Sequence, residues 1–292
     1  MYELIKLTEN DYYIDCPAKM GLVRIGGDDV VLIDAGSDKD AGKKALRVIE
    51  QNGWNLKAVF VTHSHADHIG GCRLLQERTG CKIYAKGLER AFTCDPILEP
   101  ACLYGGLPLS DLKHKFLLAQ ESECLPLTDD VLPDGMKIIP LPGHCFDMVG
   151  FLTKDGTAYI ADSVSSEGTL EKYGIGYLWD PCTTLETLEY LKTVSADRFV
   201  PSHAPVTENI AVLADINIRA IGCVMEKIVA FCEGGVVFET LLKKGFDEYS
   251  LAMNPVQYAL IGSTLRSYLS VLYTRGKVAF EFSDNEMVWK TV

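Results

Sequence analysis

The sequence predicts a layered α/β protein with a smaller helical segment at its C-terminal end, and three observations lead to this prediction. Short apolar runs rich in β-branched residues alternate with amphipathic helical patterns over about the first two-thirds of the chain. Several of these runs end in histidine or aspartate. The remaining chain carries three helical patterns and a hairpin pattern, so we predict two domains, at 1–212 and 213–292.

Composition narrows the class of protein. The chain has 292 residues, a net charge of −12 and 48% hydrophobic residues. No apolar run approaches the roughly 20 residues of a membrane span, and the N-terminus lacks a signal-peptide pattern. We therefore expect a cytoplasmic protein without a membrane partner, whose ten cysteines are reduced thiols. The negative charge disfavours broad binding to nucleic acid.

Local patterns define the first strands and helices. The predicted strands lie at 1–16 (a hairpin), 19–26, 29–34, 57–62 and 81–85, and the predicted helices lie at 38–52 and 71–80. Gly27 and Asp28 form a pair typical of tight turns between strands. Ala45 and Ile49 share one face of the first helix, and Gly53 marks its end.

The middle of the chain repeats the strand patterns but contains two stretches predicted to be irregular. The predicted strands lie at 123–127, 137–141, 148–153, 157–160 and 198–201, with a helix at 184–195. The irregular stretches are 87–119 and 163–180, both containing glycine and aromatic residues. Long irregular segments in a compact domain are usually functional, so we expect a lid or pocket wall. The candidate aromatic residues for that wall are Tyr104, Tyr173, Tyr177 and Trp179.

One short segment concentrates side chains that bind metals. His63, His65, Asp67 and His68 lie within six residues, directly after an apolar strand pattern, and three of the six histidines of the chain are among them. Imidazole and carboxylate groups are common ligands of Zn²⁺ and related ions. Residues two apart in an extended loop point the same way, so His63 and His65 can bind one ion. Asp67 and His68 turn away where a helix begins and can bind a second ion.

Three further candidate ligands share the same position relative to strands. His144, Asp162 and His203 each follow an apolar run, as His63 does. Ligands at the ends of parallel strands meet at one edge of a sheet. His114 has no such context, and we do not expect it to be a ligand.

This set of motifs resembles the metallo-β-lactamase fold hydrolases. The matching segments are His63-Ser64-His65-Ala66-Asp67-His68, Leu141-Pro142-Gly143-His144, Tyr159-Ile160-Ala161-Asp162 and Val200-Pro201-Ser202-His203. The resemblance implies a four-layer αββα sandwich that holds two divalent metal ions, with zinc as the first expectation and iron or manganese as alternatives.

The same resemblance implies a role for each ligand. His63, His65 and His144 would hold the first ion. Asp67, His68 and His203 would hold the second, and Asp162 would bridge the two. Asp34, in the segment Ile33-Asp34-Ala35-Gly36, would orient the histidine loop, although a helix-capping role is the alternative. Ala161 departs from the family, where glycine commonly precedes the bridging aspartate.

The implied function is a dinuclear metal-dependent hydrolase. A hydroxide bridging the ions would attack an ester, thioester, lactone or phosphodiester of a small-molecule substrate, and Asp67 would accept or relay the proton as the catalytic residue. Cys145, beside His144, is either a thiol that acts near the metals or a buried structural residue.

Alternatives remain within and outside this class of enzyme. A mononuclear iron dioxygenase or a thioesterase of the glyoxalase II type uses a similar motif, although no cluster of basic residues suited to glutathione is evident. The C-terminal pattern comprises helices at 210–232, 239–245 and 255–276 and a hairpin at 277–290. From about residue 236 it resembles a winged helix, which would indicate a nuclease or a nucleic-acid-binding regulator. Because this segment has few basic residues, packing or a homodimer contact is the favoured role.

Overall fold

The N-terminal hairpins build one edge of the first sheet. Its strands are β1 (Glu3–Lys6), β2 (Asp11–Asp15), β3 (Met20–Gly26), β4 (Asp29–Ile33), β5 (Asn55–Phe60), β6 (Lys82–Ala85) and β7 (Cys124–Pro126). They pair in sequence order, antiparallel from β1 to β4 and parallel from β4 to β7. The computed structural model describes residues 2–292, and Met1, which the sequence placed in the first hairpin, lies outside the described residues.

Two helices cover the outer face of this sheet. They are α1 (Lys39–Gln51) and α3 (Cys72–Thr79), and the short α2 (Ala66–Ile69) lies between them in sequence. The carboxylate of Asp38 accepts hydrogen bonds from the first backbone amides of α1, which satisfies groups that a helix start leaves free. The apolar face of α1, including Ala45 and Ile49, is buried as its sequence pattern predicts.

The prediction of an irregular stretch from 87 to 119 is wrong over much of its length. The stretch contains α4 (Gly87–Cys94), α5 (Leu98–Tyr104) and a single 3₁₀ turn at Ser110–Leu112. Pro100 conceals α5 in the sequence, but it occupies the first turn, where its missing N–H would have had no partner within the helix. Gly105 ends α5 with a φ of 77°.

The second sheet stacks on the first. Its strands are β8 (Lys137–Pro140), β9 (Val149–Leu152), β10 (Thr157–Ala161) and β11 (Arg198–Pro201), in the order β11-β10-β9-β8. Phe60 of the first sheet and Phe151 of the second meet with ring centroids 5.7 Å apart in the apolar layer between the sheets. The outer face of the second sheet packs on α7 (Pro181–Leu191). The predicted αββα sandwich is therefore confirmed.

The second stretch predicted to be irregular, 163–180, also contains a helix. This helix, α6 (Glu167–Tyr173), begins at Ser166, whose hydroxyl oxygen accepts a hydrogen bond from the Thr169 amide. Its seven residues are too few for a clear periodic pattern, which explains why the sequence did not reveal it.

The C-terminal chain contains the predicted three helices and hairpin. The elements are α8 (Ile210–Phe231), β12 (Val236–Val237), α9 (Phe238–Glu248), α10 (Pro255–Thr274), β13 (Val278–Ser283) and β14 (Glu286–Thr291). The short β12 was not predicted and pairs with β14. One apolar cluster continues from Ile139 of β8 to Leu269 of α10. The domain boundary at 212/213 and the winged-helix likeness stay predictions. Within residues 2–292, every helix is too short or too polar to cross a membrane.

Candidate metal centre

The loop after β5 is fixed by a buried carboxylate at the end of β4. Asp34 accepts hydrogen bonds from the Thr62 amide at 2.8 Å and from the Thr62 hydroxyl at 2.7 Å. The turn that leaves this loop passes very close to another backbone segment, since a Cβ at Gly70 would lie 2.3 Å from the carbonyl carbon of Ser37. Glycine is therefore required there, and the loop is held from both ends.

Three imidazole rings meet at one side of the site. His63 Nε2 lies 3.1 Å from His65 Nδ1, and His144 Nε2 lies 3.1 Å from the same atom. The Asp162 Oδ2 atom lies 3.9 Å from His63 Nε2 and 3.7 Å from His144 Nε2. Side chains from the β5–α2 loop and from the loop after β8 thus surround one point.

A second group lies on the other side of Asp162. His203 Nε2 is 3.2 Å from Asp67 Oδ2, and His68 Nε2 is 3.7 Å from the same oxygen. Asp162 approaches both histidines, with Oδ1 3.3 Å from His68 Nε2 and Oδ2 3.3 Å from His203 Nε2. The structure therefore brings all seven predicted side chains together, with Asp162 between the two groups.

Outer hydrogen bonds orient three of the rings. His68 Nδ1 donates to Asp34 Oδ2 at 2.8 Å, and His203 Nδ1 donates to the Pro17 carbonyl at 2.9 Å. The Thr62 hydroxyl donates to Asp34, so it accepts from His63 Nδ1 at 3.1 Å. Because Nδ1 of each ring is engaged in these bonds, the Nε2 atoms face the centre, where they can ligate a metal once they carry no proton.

The pKa values of the histidines differ between the two groups of side chains. Burial lowers the pKa of His63 well below its usual value, and burial together with the neighbouring His144 lowers the pKa of His65 to about 3. These rings are neutral and retain a lone pair. Asp162 raises the pKa of His203 to about 10. For His68, burial acts to lower the pKa, but Asp162 and Asp67 raise it well above its usual value.

The residues fit divalent cations. His68 Nε2 and Asp162 Oδ1 are buried and have no hydrogen-bond partner among residues 2–292. Such groups are costly to bury unless something else satisfies them. Protons on His68 and His203 otherwise balance the charge of the carboxylates, and a bound cation takes their place as it binds. The mixed imidazole and carboxylate donor set suits zinc, iron or manganese.

The backbone before Asp162 carries local strain. Ala161 has a φ of 49°, in the left-handed region that glycine adopts without cost. A residue with a Cβ costs about 1–2 kcal/mol in this conformation. Ala161 therefore adopts the conformation that glycine would adopt, at some cost in energy. The Asp162 carboxylate still lies between the two groups.

Sequence reasoning missed one residue that supports the site. Glu89 of α4 is fully buried and accepts hydrogen bonds from the Ser64 amide at 2.9 Å, the Ser64 hydroxyl at 2.6 Å and the Asp147 amide at 3.0 Å. It joins the histidine loop to the segment after His144. No signal in the sequence identified it, because it lies in a stretch predicted to be irregular.

The other residues that the sequence singled out differ in burial and in their relation to the site. Cys145 is buried with Sγ 3.1 Å from His65 Nε2, so it contacts the site. The Tyr177 ring lies 5.1 Å from the His65 ring and forms part of the wall as predicted. The other three candidate aromatic residues are exposed. His114 belongs to none of the ligand groups found among the described residues.

Comparison with known proteins identifies the family. The family model of the metallo-β-lactamase superfamily matches residues 13–203, which is well over half of the chain. This chain belongs to the metallo-β-lactamase superfamily.

Two curated relatives each match about half of this chain. The hydroxyacylglutathione hydrolase of Bradyrhizobium sp. (strain ORS 278) is 29% identical over 146 residues, which cover 49% of this chain and 48% of the relative. The hydroxyacylglutathione hydrolase GloC of Haemophilus influenzae is 28% identical over 159 residues, which cover 54% of this chain and 68% of the relative. The chain thus matches about half of the first relative's length and about two-thirds of the second's.

Solved structures match nearly the whole chain. A β-lactamase domain protein from Burkholderia ambifaria has a TM-score of 0.74 at 16% identity, and the match covers 99% of this chain and 94% of that one. A metallo-β-lactamase family protein from Thermus thermophilus has a TM-score of 0.72 at 16% identity, with 99% and 97% covered. At this identity the likeness concerns the fold, and it extends through the C-terminal helices.

Proposed function

We propose that this chain is a metal-dependent hydrolase that binds two divalent ions, zinc in the first instance, and cleaves a small-molecule thioester or ester. The observation that carries the proposal is the position of Asp162 between two groups of converging ligands. In this proposal, His63, His65 and His144 would hold the first ion. Asp67, His68 and His203 would hold the second, and Asp162 would contribute its carboxylate to both.

The chain's own residues prepare the site for hydrolysis. A bound divalent ion lowers the pKa of a coordinated water from about 15.7 to about 7 and polarises a carbonyl group. Asp34 and Thr62 hold the rings of His68 and His63 with their Nε2 atoms facing inward. Burial acts to raise the pKa of Asp67, but His68 and His203 lower it to about 2. Asp67 is therefore ionised, and in this proposal it would help to hold an ion and relay a proton of the attacking water.

Two observations support acyl substrates over nucleic acids. The two curated relatives are named as hydrolases of hydroxyacylglutathione, a thioester, over the region that they share with this chain. The net charge of −12 opposes binding to polyanions. In addition, α10 packs against α5, α7 and α8, which favours a structural role for the C-terminal chain.

We place the enzyme in the cytoplasm because its cysteines are unpaired.

The test is a hydrolysis screen of protein purified without chelator and loaded with zinc. We expect hydrolysis of acyl thioesters or esters, abolished by chelation and restored by added metal. Asp67→Asn should lower kcat by about 100-fold or more, as expected for loss of a proton acceptor. The matched control is Asp130→Asn on the exposed surface. Metal-loaded wild-type protein that cleaves no thioester, ester, lactone or phosphodiester would contradict the proposal.

A further inference from the structure

A cavity opens directly from the candidate metal centre into the interior. It has a volume of about 100 Å³, and His144, Asp162 and His203 form its metal-side wall. The rest of its wall comes from elements on the other side of the second sheet, including Leu188 of α7 and Ile221 of α8. A group placed there would lie next to the side chains of the candidate metal centre.

Helices of the C-terminal chain close this cavity. Ala220, Ile221 and Val224 of α8 line it together with Tyr268 of α10. Ile221, Val224 and Tyr268 are all more than 90% buried. The 213–292 segment therefore supplies part of the pocket next to the site, which gives this segment a role that its sequence pattern did not indicate.

Three of the polar side chains in the cavity wall already have hydrogen-bond partners within the protein. Ser163 already donates to the Ile160 carbonyl at 2.6 Å, and Thr184 donates to the Asp180 carbonyl at 2.8 Å. Asn217 is occupied as well, because its carbonyl accepts from the Ser165 amide at 3.0 Å and its amide donates to the Ser165 carbonyl at 2.9 Å.

Charge is also absent from the inner wall. Away from His144, Asp162 and His203, no lysine, arginine or carboxylate among residues 2–292 lines the cavity. Burial raises the pKa of Tyr268, so its phenol is neutral at physiological pH. A charged group buried there would lose its hydration without gaining a partner, which is strongly unfavourable.

The volume limits the size of the group. An apolar cavity of about 150 Å³ accommodates benzene, with its six carbons, so a cavity of this size accommodates about four. The cavity is only partly enclosed, and it adjoins His144, Asp162 and His203. A small group fits beside these side chains.

From this geometry we infer that the cavity is the acyl subsite of the enzyme and selects a short, uncharged acyl group of about four carbons. The inference rests on the proposed hydrolase function and specifies its substrate class. Water attacks the acyl carbon, the bond from that carbon to sulfur or oxygen breaks, and the proton released from water goes to the leaving thiol or alcohol. A short-chain carboxylate and a free thiol or alcohol are the products.

The test uses thioesters that share one small thiol, N-acetylcysteamine, and differ only in the acyl group. For the zinc-loaded protein, kcat/KM for the butyryl thioester should exceed that for the acetyl thioester by about tenfold or more, since each buried methylene contributes to binding. The octanoyl group is too long for the cavity. The succinyl group is as long as butyryl but carries a charge. The octanoyl and succinyl thioesters should therefore both react more slowly than the butyryl thioester.

Variants in α8 test the wall itself. Ala220→Leu fills the cavity and should lower kcat/KM for butyryl by about tenfold while acetyl changes little. Val224→Ala enlarges the cavity and should move the optimum to a longer acyl group. Arg219→Leu, which adds the same side chain on the exposed face of α8, is the matched control.

A binding measurement separates this inference from the proposed function. Isothermal titration calorimetry of the zinc-loaded protein with acetate, butyrate, octanoate and succinate should give the lowest Kd for butyrate. In the Ala220→Leu variant this preference should be lost. If thioesters are cleaved without chain-length preference, the hydrolase function stands and the acyl-subsite inference is overturned. If nothing is cleaved but butyrate binds selectively, the inference about the cavity stands and the proposed function fails. An absence of preference in both measurements overturns the inference.

Discussion

Asp162 is the residue on which the arrangement of the site depends. Its carboxylate lies within 3.3 Å of His68 and His203 and within 3.9 Å of His63, so it reaches both groups of side chains. Burial acts to raise the pKa of Asp162, but His203 and His68 hold it well below its usual value. The carboxylate is therefore ionised and suited to contact two cations.

Replacing Asp162 with alanine should lower the occupancy of both ions. The variant loses the carboxylate that contacts both groups, so we expect substantially fewer bound ions per chain than the two proposed for the wild-type protein, measured by elemental analysis after dialysis. Asp130→Ala, which removes an exposed carboxylate, should retain the wild-type ratio. An unchanged ratio in Asp162→Ala would rule out a bridging role.

We expect Asp34 to support metal binding by fixing the tautomer of His68. In Asp34→Asn, an amide NH₂ can face His68 Nδ1, which then favours the tautomer with its proton on Nε2, the atom that faces the centre. We expect the affinity for one ion to fall by about 10–100-fold, as measured by competition with a chromophoric chelator. Asp38→Asn makes the same change at the start of α1, where asparagine also caps a helix, and should leave the affinity unaltered. Equal affinities in the two variants would contradict this role for Asp34.

The seven candidate ligands were found from the sequence because each lies near the end of an apolar strand pattern. These strand ends suggested a common site, and the resemblance to the metallo-β-lactamase fold hydrolases supplied the full set of residues expected to meet there. Their role as ligands stays a prediction. Glu89 could not be found in this way, because its contacts with Ser64 and Asp147 exist only after α4 packs beside the loop. Its local sequence is that of an ordinary helix.

At the level of elements, α4 connects the two loops that carry ligands. Glu89→Ala leaves the buried amides of Ser64 and Asp147 without their partner, so we expect the free energy of unfolding to fall by about 1–3 kcal/mol or more. Urea denaturation of the zinc-loaded protein measures the loss. Glu77→Ala removes a carboxylate from an exposed ion pair with Arg73 and should cost no more than about 1 kcal/mol. Similar losses in both variants would contradict the connecting role of Glu89.

The predicted fold class is confirmed, and the errors concern short helices. Strands such as β4 and β11 carry continuous apolar runs, and α1 has a strong amphipathic pattern, so each is recognisable by itself. By contrast, α5 and α6 have seven residues each, and helices of that length are unstable alone. The α5 helix forms against α10, a contact that the local sequence does not encode.

At the scale of the whole molecule, the buried carboxyl group of Asp11, which is distant in sequence from the ligand loops, makes stability depend on pH. Asp11 is fully buried, and one of its oxygens accepts from Thr153 at 2.7 Å while the other has no partner among residues 2–292. Burial raises the pKa of Asp11 above its ordinary value of 3.8. Such a carboxyl binds more protons when folded. Its contribution to stability is therefore present below pH 3.8 and is lost as the pH rises through the raised pKa.

Asp11→Asn removes this titration. The free energy of unfolding of the variant, relative to wild type, should rise as the pH increases from about 4 toward neutrality and then become constant. Urea midpoints measured in parallel at several pH values test this difference. Asp28→Asn, in the exposed turn before β4, should show no such trend. A difference for Asp11→Asn that is independent of pH would contradict the assignment.

The C-terminal helices link stability to function in this molecule. Because α8 and α10 form part of the cavity wall and share an apolar cluster with the second sheet, their packing also defines the space beside the ligands. This packing is consistent with the structural role that the scarcity of basic residues in the segment favours.

The most direct measurement is anomalous diffraction at the zinc absorption edge from crystals of the zinc-loaded protein. We predict two peaks, one among the ring nitrogens of His63, His65 and His144, and one among Asp67, His68 and His203. The Asp162 carboxylate should lie between them. A single peak, or peaks elsewhere in the molecule with none among these side chains, would contradict the account.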